Sequence, residues 1–100
     1  MRMYILVKDS IPLGYSIVAV AHSSLICHLK YNDTLEYKKW LESSFKKVVC
    51  VVSDKEFEKA KEFDDFVVVT ESNLDNSEVA VVFKPREEYP KFFKYLKLLK

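Results

Sequence analysis

Short apolar runs rich in β-branched residues recur along the chain and predict four β-strands. The runs are Met3–Val7, Val48–Val52, Phe66–Thr70 and Val79–Phe83. Each is apolar almost throughout rather than alternating, which is typical of strands that are buried on both faces. The turn-rich segment Asn73–Ser77 separates the last two strands.

The longer segments between these runs have helical patterns. Leu13–Lys30 has apolar residues on all sides of a helix rather than along one stripe, so we expect a largely buried helix. A second helix is expected from Asp33, as the N-cap, to about Ser44. A third is expected from the capping box Ser53-Asp-Lys-Glu56 to about Glu62.

The connections between the predicted strands indicate the fold class. Helical crossovers join the first three strands, which should therefore be parallel, and a short loop makes the fourth antiparallel. We expect an α/β fold: a single domain, residues 1–100, built as a three-layer α/β/α sandwich on a mixed four-stranded sheet. Pro85 and Pro90 bracket a predicted short helix, and Tyr95–Leu99 could continue it or form a short strand.

Composition excludes several classes of protein. The chain has one glycine, Gly14, so it holds neither a dinucleotide-binding fingerprint nor a phosphate-binding Walker loop. No apolar run exceeds five residues, which excludes a membrane-spanning helix. With no secretory signal at its start, we expect a cytoplasmic protein in which Cys27 and Cys50 are reduced, buried thiols.

Charge is distributed unevenly, although the net charge is only +1. Residues 53–79 carry nine acidic and three basic side chains, whereas residues 80–100 carry six basic and two acidic ones. This asymmetry predicts either a basic face for a phosphate backbone or an ordinary solvated surface.

Polar residues gather where the first and third strands should end. Lys8, Asp9 and Tyr15 follow the first strand, and Glu71, Ser72 and Asn73 follow the third. The carboxyl ends of strands are where open α/β sheets bind ligands, so we expect a site at this edge.

Glu71, His22 and Tyr15 each have a functional and a structural interpretation. Glu71 is the best general-base candidate, or else a loop carboxylate or helix-end partner. His22, two turns into the first helix, either lies in the site below the Glu71 loop or is a core histidine bound to a backbone carbonyl. Tyr15 either stacks on a base or is a surface tyrosine. His22 and His28 are six residues apart and cannot chelate one metal ion, so no metal or cofactor is indicated.

Four short motifs stand out along the chain: Lys8-Asp9 after the first strand, Gly14 at the helix entry, Ala21-His22-Ser23 in the helix and Tyr95–Leu99 at the end. Together they resemble motifs of the second, archaeal and eukaryotic, family of peptidyl-tRNA hydrolases. The resemblance implies an α/β/α sandwich, a homodimer, and metal-independent cleavage of the ester between a peptide and tRNA. At two positions the sequence differs from the family: Tyr15 stands where the family has a lysine at the helix entry, and Ala19 stands where it has the glutamine of Gln-x-x-His. The family's loop after the third strand is also changed.

Two functional hypotheses follow. In the first, the chain hydrolyses peptidyl-tRNA with His22, Glu71 and Ser72 as catalytic residues. Substrate would then be held by a group of polar and basic residues, namely Lys8, Asp9, Tyr15, Asn73, Lys46, Lys47, Lys84 and Arg86. In the second, the chain is a non-catalytic dimeric relative that binds RNA or a small molecule.

Overall fold

A computed structural model describes residues 1–100 and contains one mixed sheet of five strands. They are β1 (Arg2–Lys8), β2 (Lys46–Val52), β3 (Phe66–Glu71), β4 (Ser77–Phe83) and β5 (Lys97–Leu98). Their order across the sheet is β3-β4-β1-β2-β5. The α/β class and the mixed sheet are confirmed, but the predicted count of four strands is wrong because β5 pairs with β2.

Three helices connect the strands: α1 (Leu13–Tyr31), α2 (Leu35–Glu42) and α3 (Asp54–Ala60). Two 3₁₀ helices add to them, at Ser72–Leu74 after β3 and at Lys91–Tyr95 before β5. No helix of the structure is both long and apolar enough to cross a lipid bilayer.

The strand directions follow the predicted crossovers. β1 and β2 pair in parallel, and β4 pairs antiparallel with both β1 and β3. β1, β2 and β3 therefore run in the same direction, and their carboxyl ends lie at the same edge of the sheet. The short loop between β3 and β4 does make these two strands antiparallel neighbours.

Alternating residues of β1 bury against opposite faces of the sheet. Met3, Ile5 and Val7 pack with Ala19 and Cys27 of α1. On the other face, the core is built by the buried residues Tyr4, Leu6, Cys50, Phe57, Phe83 and Phe93. That second face is covered by the seven-residue α3 and the 3₁₀ helix before β5. The predicted three-layer sandwich is therefore incomplete, since this face lacks a full helical layer.

Helix α1 is not largely buried as its composition suggested. Ser16, Ala19, Ser23 and Cys27 form the buried stripe against the sheet. The opposite side of the helix exposes the large apolar side chains Leu13, Ile17, Val18, Leu25 and Leu29. An apolar helix surface that is not covered within its own chain is unusual, because single exposed apolar residues are common but continuous faces are not.

The helix boundaries differ from the predicted ones in their details. Thr34, not Asp33, caps α2, because the Thr34 hydroxyl accepts the Tyr37 N–H. The Ser53–Glu56 capping box of α3 is confirmed, although the helix ends at Ala60.

The segment between Pro85 and Pro90 is not helical. Arg86 instead forms an isolated antiparallel bridge with Arg2, in which each backbone N–H donates to the other's carbonyl oxygen at 3.3 Å. Both cysteines are free and buried, as predicted.

Candidate functional site

An open cleft lies at the carboxyl ends of the strands, where the sequence places the candidate site. Its volume is about 480 Å³. The end of β1, the start of α3 and the turn between β3 and β4 form its walls. The lining residues are Lys8, Ser10, Ile11, Pro12, Asp54, Asn73, Leu74, Asp75, Ser77 and Glu78. Of the predicted site residues, Lys8 and Asn73 line this cleft.

Lys8 is held in place by the start of α3. Its ammonium group lies 3.7 Å from the Asp54 carboxylate and 4.7 Å from the centre of the Phe57 ring. The Asp9 N–H donates to the carbonyl oxygen of Val52, which continues the β1–β2 pairing beyond the strand. The Lys8 side chain, only 20% exposed, therefore serves packing and charge pairing as well as facing the cleft.

Glu71 is buried and organises the turn that follows it. Its carboxylate accepts the Asn73 N–H at 3.1 Å, and its carbonyl oxygen accepts the Asn76 N–H at 2.9 Å. Asp75 and Asn76 have left-handed backbone conformations, which short polar side chains tolerate better than most. These contacts match the interpretation of Glu71 as a loop carboxylate.

The cleft is acidic on balance. Lys8 faces Asp54, Asp75 and Glu78 there, and Glu78 is itself paired with Lys61 at 2.9 Å. An acidic surface repels a phosphate backbone. No three His, Cys, Asp or Glu side chains come together as a possible metal-ligand set in this chain.

The other predicted residues of this edge do not line the cleft. His22 lies on the exposed side of α1 and makes no side-chain hydrogen bond, so it is not the carbonyl-bound core histidine considered above. Ser72 is exposed in the 3₁₀ helix, Asp9 is exposed, and Tyr15 is half-buried in the first turn of α1. No hydrogen bond joins His22 to Glu71 or Ser72, and their catalytic roles stay predictions.

The predicted tRNA-binding lysines and arginine lie at the other end of the sheet. Lys46 begins β2 and Arg86 follows β4, whereas the cleft lies beyond the last residue of β1. The seven residues of β1 separate these ends by about 20 Å. Lys8 and Asn73 therefore cannot share one small-molecule site with Lys46 or Arg86.

Lys47 and Lys84 already have partners within the chain. Lys84 lies 3.5 Å from both the Glu36 and the Asp65 carboxylates. The Lys47 ammonium lies 3.2 Å from the centre of the Phe45 ring, and burial lowers its pKa. These two side chains are less available for a phosphate than Lys46, and Arg86 lines a concave surface with the carboxylates of Glu36, Asp65, Glu87 and Glu88.

Arg2 is the basic residue that sequence reasoning missed. It lies directly opposite Lys46 on β2 and opposite Arg86 in the isolated bridge. Residues 1–52, which contain Arg2, carry seven basic and four acidic side chains, but this surplus does not indicate that Arg2 lies beside Arg86.

A second, smaller concave surface lies beside the exposed side of α1. It has a volume of about 260 Å³ and is lined mainly by apolar and aromatic residues, among them Leu25, His28, Tyr37, Trp40, Leu41 and Phe45. His28 and Tyr37 are joined by a 3.2 Å hydrogen bond between Nδ1 and the hydroxyl group. The groove is continuous with the exposed apolar face of α1 through Leu25.

No protein-family model matches this sequence, and no curated protein is significantly similar to it. The resemblance to peptidyl-tRNA hydrolases therefore rests on the motifs and the order of elements described above.

Proposed function

We propose that the chain is a homodimeric, non-catalytic binding protein of the cytoplasm, related to the second family of peptidyl-tRNA hydrolases. The observation that carries this proposal is the exposed apolar face of α1. Glu71 supports the non-catalytic part, because its carboxylate already holds the turn after β3.

The sequence of α1 is that of a helix covered on both sides. From Leu13 to Leu29 it contains no Asp, Glu, Lys or Arg, although half of this surface faces outward. Gly14, Val18, Ala21 and Leu25 follow one another at steps of four, three and four residues, the spacing of a helix–helix seam. A Cβ atom at Gly14 would meet nothing within 4 Å, so its own fold does not require a glycine there.

The size of this face fits a second copy of the chain. Leu13, Ile17, Leu25 and Leu29 are each more than half exposed, and Val18 is 41% exposed. Together these five side chains expose roughly 500 Å² of apolar surface, which matches the apolar part of a standard interface of about 800 Å² per partner. Because the face carries no charge, two copies can pair α1 against α1 without repulsion.

Sedimentation equilibrium tests the dimer directly. We expect twice the mass of a single chain for the wild type and a single-chain mass for Leu25→Glu, which places a charge at the centre of the face. Leu98→Glu, at another half-exposed leucine, is the matched control and should remain dimeric. A wild type that is monomeric at about 100 µM, well above the dissociation constant of an interface this size, would refute the dimer.

Peptidyl-tRNA hydrolysis is the second candidate function. The position of Lys8 and Asn73 at the carboxyl ends of the strands favours it, whereas the acidic balance of the cleft opposes the tRNA phosphates. The test is hydrolysis of an N-blocked aminoacyl-tRNA by the wild type, Glu71→Gln and His22→Ala. Turnover that falls by roughly 100-fold or more in either variant would support an esterase that uses these groups. Folded wild-type protein without turnover above background would support the binding protein.

A further inference from the structure

A series of aromatic side chains lines the concave surface of about 260 Å³ beside α1, which we call the aromatic groove. Neighbouring ring centres along His28, Tyr37, Trp40 and Phe45 are 5.5, 5.1 and 5.2 Å apart. Tyr37 and Trp40 are almost fully buried and form the floor, whereas Phe45 is 52% exposed at the rim. Aromatic side chains offer both faces and edges to another ring. The groove therefore suits a flat apolar group.

The floor of the aromatic groove is fixed by hydrogen bonds within the chain. Trp40 Nε1–H donates to the carbonyl oxygen of Lys46 at 2.8 Å, which holds the indole ring in place. The Tyr37 hydroxyl lies 3.2 Å from His28 Nδ1. No buried side-chain nitrogen or oxygen lacks a hydrogen-bond partner. A ligand that enters the groove would therefore order few protein groups, which lowers the entropic cost of binding.

Phe45 has an unfavourable backbone conformation at the rim of the groove. Its φ angle is 53°, in the left-handed region that favours glycine. The residue lies just beyond the end of α2, where its N–H donates to the carbonyl oxygen of Trp40 at 2.9 Å. Glycine or asparagine would end the helix there with less strain. A half-exposed phenylalanine at such a position indicates that its ring has a role beyond the fold.

Lys47 places a positive charge at the mouth of the groove. Its ammonium lies 3.2 Å from the centre of the Phe45 ring and 5.2 Å from that of Trp40, and it donates to the Phe45 carbonyl oxygen at 3.2 Å. No carboxylate lies within 4 Å of it, whereas Lys8 and Lys84 have such partners. No Asp or Glu lines the groove. An anion there would therefore form a charge-assisted hydrogen bond that the chain itself leaves unmade.

We propose that the aromatic groove binds a small aromatic carboxylate, with its ring against Trp40 and Phe45 and its carboxylate on the Lys47 ammonium. This proposal rests on the proposed binding function and names its ligand class and its site. Pockets for drug-sized ligands measure about 300 to 1,000 Å³. The smaller groove suits a single ring with a short side chain. One ammonium balances the single charge of a carboxylate, whereas a phosphate carries about −1.5 to −2.

A second copy of the chain is a less suitable occupant of this groove. The outer face of α1, which we propose as the dimer interface, has no Asp or Glu from Leu13 to Leu29. It therefore has no carboxylate to offer Lys47. The groove borders this face through Leu25, so the ligand site lies beside the proposed interface.

Isothermal titration calorimetry with 3-phenylpropionate tests the proposal. We expect a dissociation constant of about 1 mM, which so small a ligand can reach. The amide 3-phenylpropanamide has the same shape without the charge and should bind roughly tenfold more weakly. Trp40 is the only tryptophan of the chain, so a change in its emission on binding reports that the ring lies in the groove. Equally tight binding of 3-cyclohexylpropionate would overturn the aromatic class of ligand.

Two variants test the residues of the site. Lys47→Gln should weaken binding of the acid roughly tenfold and give the acid and the amide equal affinities. Phe45→Gly removes the ring and relieves the backbone strain, and should weaken binding of both ligands roughly threefold or more. Lys46→Gln is the matched control, because this exposed lysine is the neighbour of Lys47 and points to the opposite face of β2. It should bind as the wild type does.

The outcomes separate the ligand, the site and the dimer. A wild type that binds no acid at about 10 mM, tenfold above the expected constant, would refute the ligand class, whereas the dimer would still stand on sedimentation. A wild type that binds with affinity unchanged in Lys47→Gln and Phe45→Gly would overturn the groove as the site. A monomeric wild type that binds the acid would refute the dimer alone. Circular dichroism of each variant confirms that loss of binding is not loss of fold.

Discussion

Both cysteine thiols are buried deeply enough to change their acidity. Burial raises the pKa of the Cys27 thiol to about 12 and that of Cys50 to about 11. Cys27 also lies 3.8 Å from the carbonyl oxygen of Phe83, to which its thiol can donate. Both side chains are therefore neutral packing residues at physiological pH, as two free thiols in a core should be.

Stability should fall in alkaline solution because of these thiols. Above pH 9 the unfolded chain releases thiol protons that the folded chain retains, so the stability is present below pH 9 and is lost as the pH rises toward about 12. Each pH unit in this range costs about 1.4 kcal/mol per thiol. Urea unfolding at pH 8 and pH 10.5 measures the loss.

Cys27→Ala is the informative variant for this prediction. The cost of losing the thiol's packing is the same at both pH values. The decrease in the free energy of unfolding between pH 8 and pH 10.5 should therefore be smaller in this variant than in the wild type by about 2 kcal/mol. An equal fall in the two proteins would show that Cys27 does not contribute to the alkaline loss.

The role of Glu71 shows what a sequence can say about one residue. Its position after a buried strand is compatible with a general base and with a loop carboxylate alike. The difference depends on whether the carboxylate faces the cleft or the backbone of its own turn, and in the structure it accepts the Asn73 N–H and so caps the 3₁₀ helix Ser72–Leu74. No local pattern determines such a direction.

At the scale of elements, the four long strands were predictable, whereas the short strand β5 was one of two alternatives that the sequence left open for Tyr95–Leu99. Runs such as Val48–Val52 are long enough and apolar enough to require burial on both faces. β5 has only two residues, Lys97 and Leu98, both exposed, and it exists because β2 offers an unpaired edge. The bridge between Arg2 and Arg86 is likewise decided by the register of distant segments, which the sequence does not encode locally.

Helix α1 was misjudged for a different reason. Apolar residues on all sides predict that a helix is covered on all sides, but they do not say by what. The sheet covers the stripe of Ala19 and Cys27, and nothing within the chain covers Ile17 or Leu25. A helix in the core of one chain and a helix at an interface between chains have the same pattern.

The cap of α2 provides a matched pair of substitutions. Thr34→Ala should destabilise the protein by about 1 kcal/mol, because it removes the acceptor of the Tyr37 N–H. Asp33→Ala, one residue earlier, should change the free energy of unfolding by less than about 0.5 kcal/mol. Urea denaturation of both variants measures the difference, and the opposite order would restore Asp33 as the cap.

At the scale of the whole molecule, the sheet separates surfaces of different character. The carboxyl ends of the strands carry the acidic cleft, the opposite end carries Lys46, Arg2 and Arg86, and the outer side of α1 has no Asp, Glu, Lys or Arg from Leu13 to Leu29. The acidic surplus of residues 53–79 anticipated the cleft, whereas Arg2 and Lys46 lie outside the basic surplus of residues 80–100. The charge pattern could not place the acidic cleft and these basic residues at opposite ends of the sheet, because their positions depend on β4 returning between β1 and β3.

The proposed dimer makes thermal stability depend on protein concentration. If folded chains associate and unfolded chains do not, mass action raises the melting temperature as the concentration rises. A tenfold change in an equilibrium constant corresponds to about 1.4 kcal/mol. Because two chains share each interface, a tenfold increase in protein concentration stabilises each chain by up to half of this value, about 0.7 kcal/mol. For a domain of this size, that is a shift of about 3 to 5 °C.

Differential scanning calorimetry between about 10 and 100 µM should show this shift for the wild type and for Leu98→Glu. Leu25→Glu should melt at the same temperature at both concentrations, because its folded form is a single chain. Leu25 is 58% exposed, so the substitution leaves the core intact and separates association from folding. A shift of equal size in Leu25→Glu would mean that the chains associate through another surface, and α1 would then need a different partner.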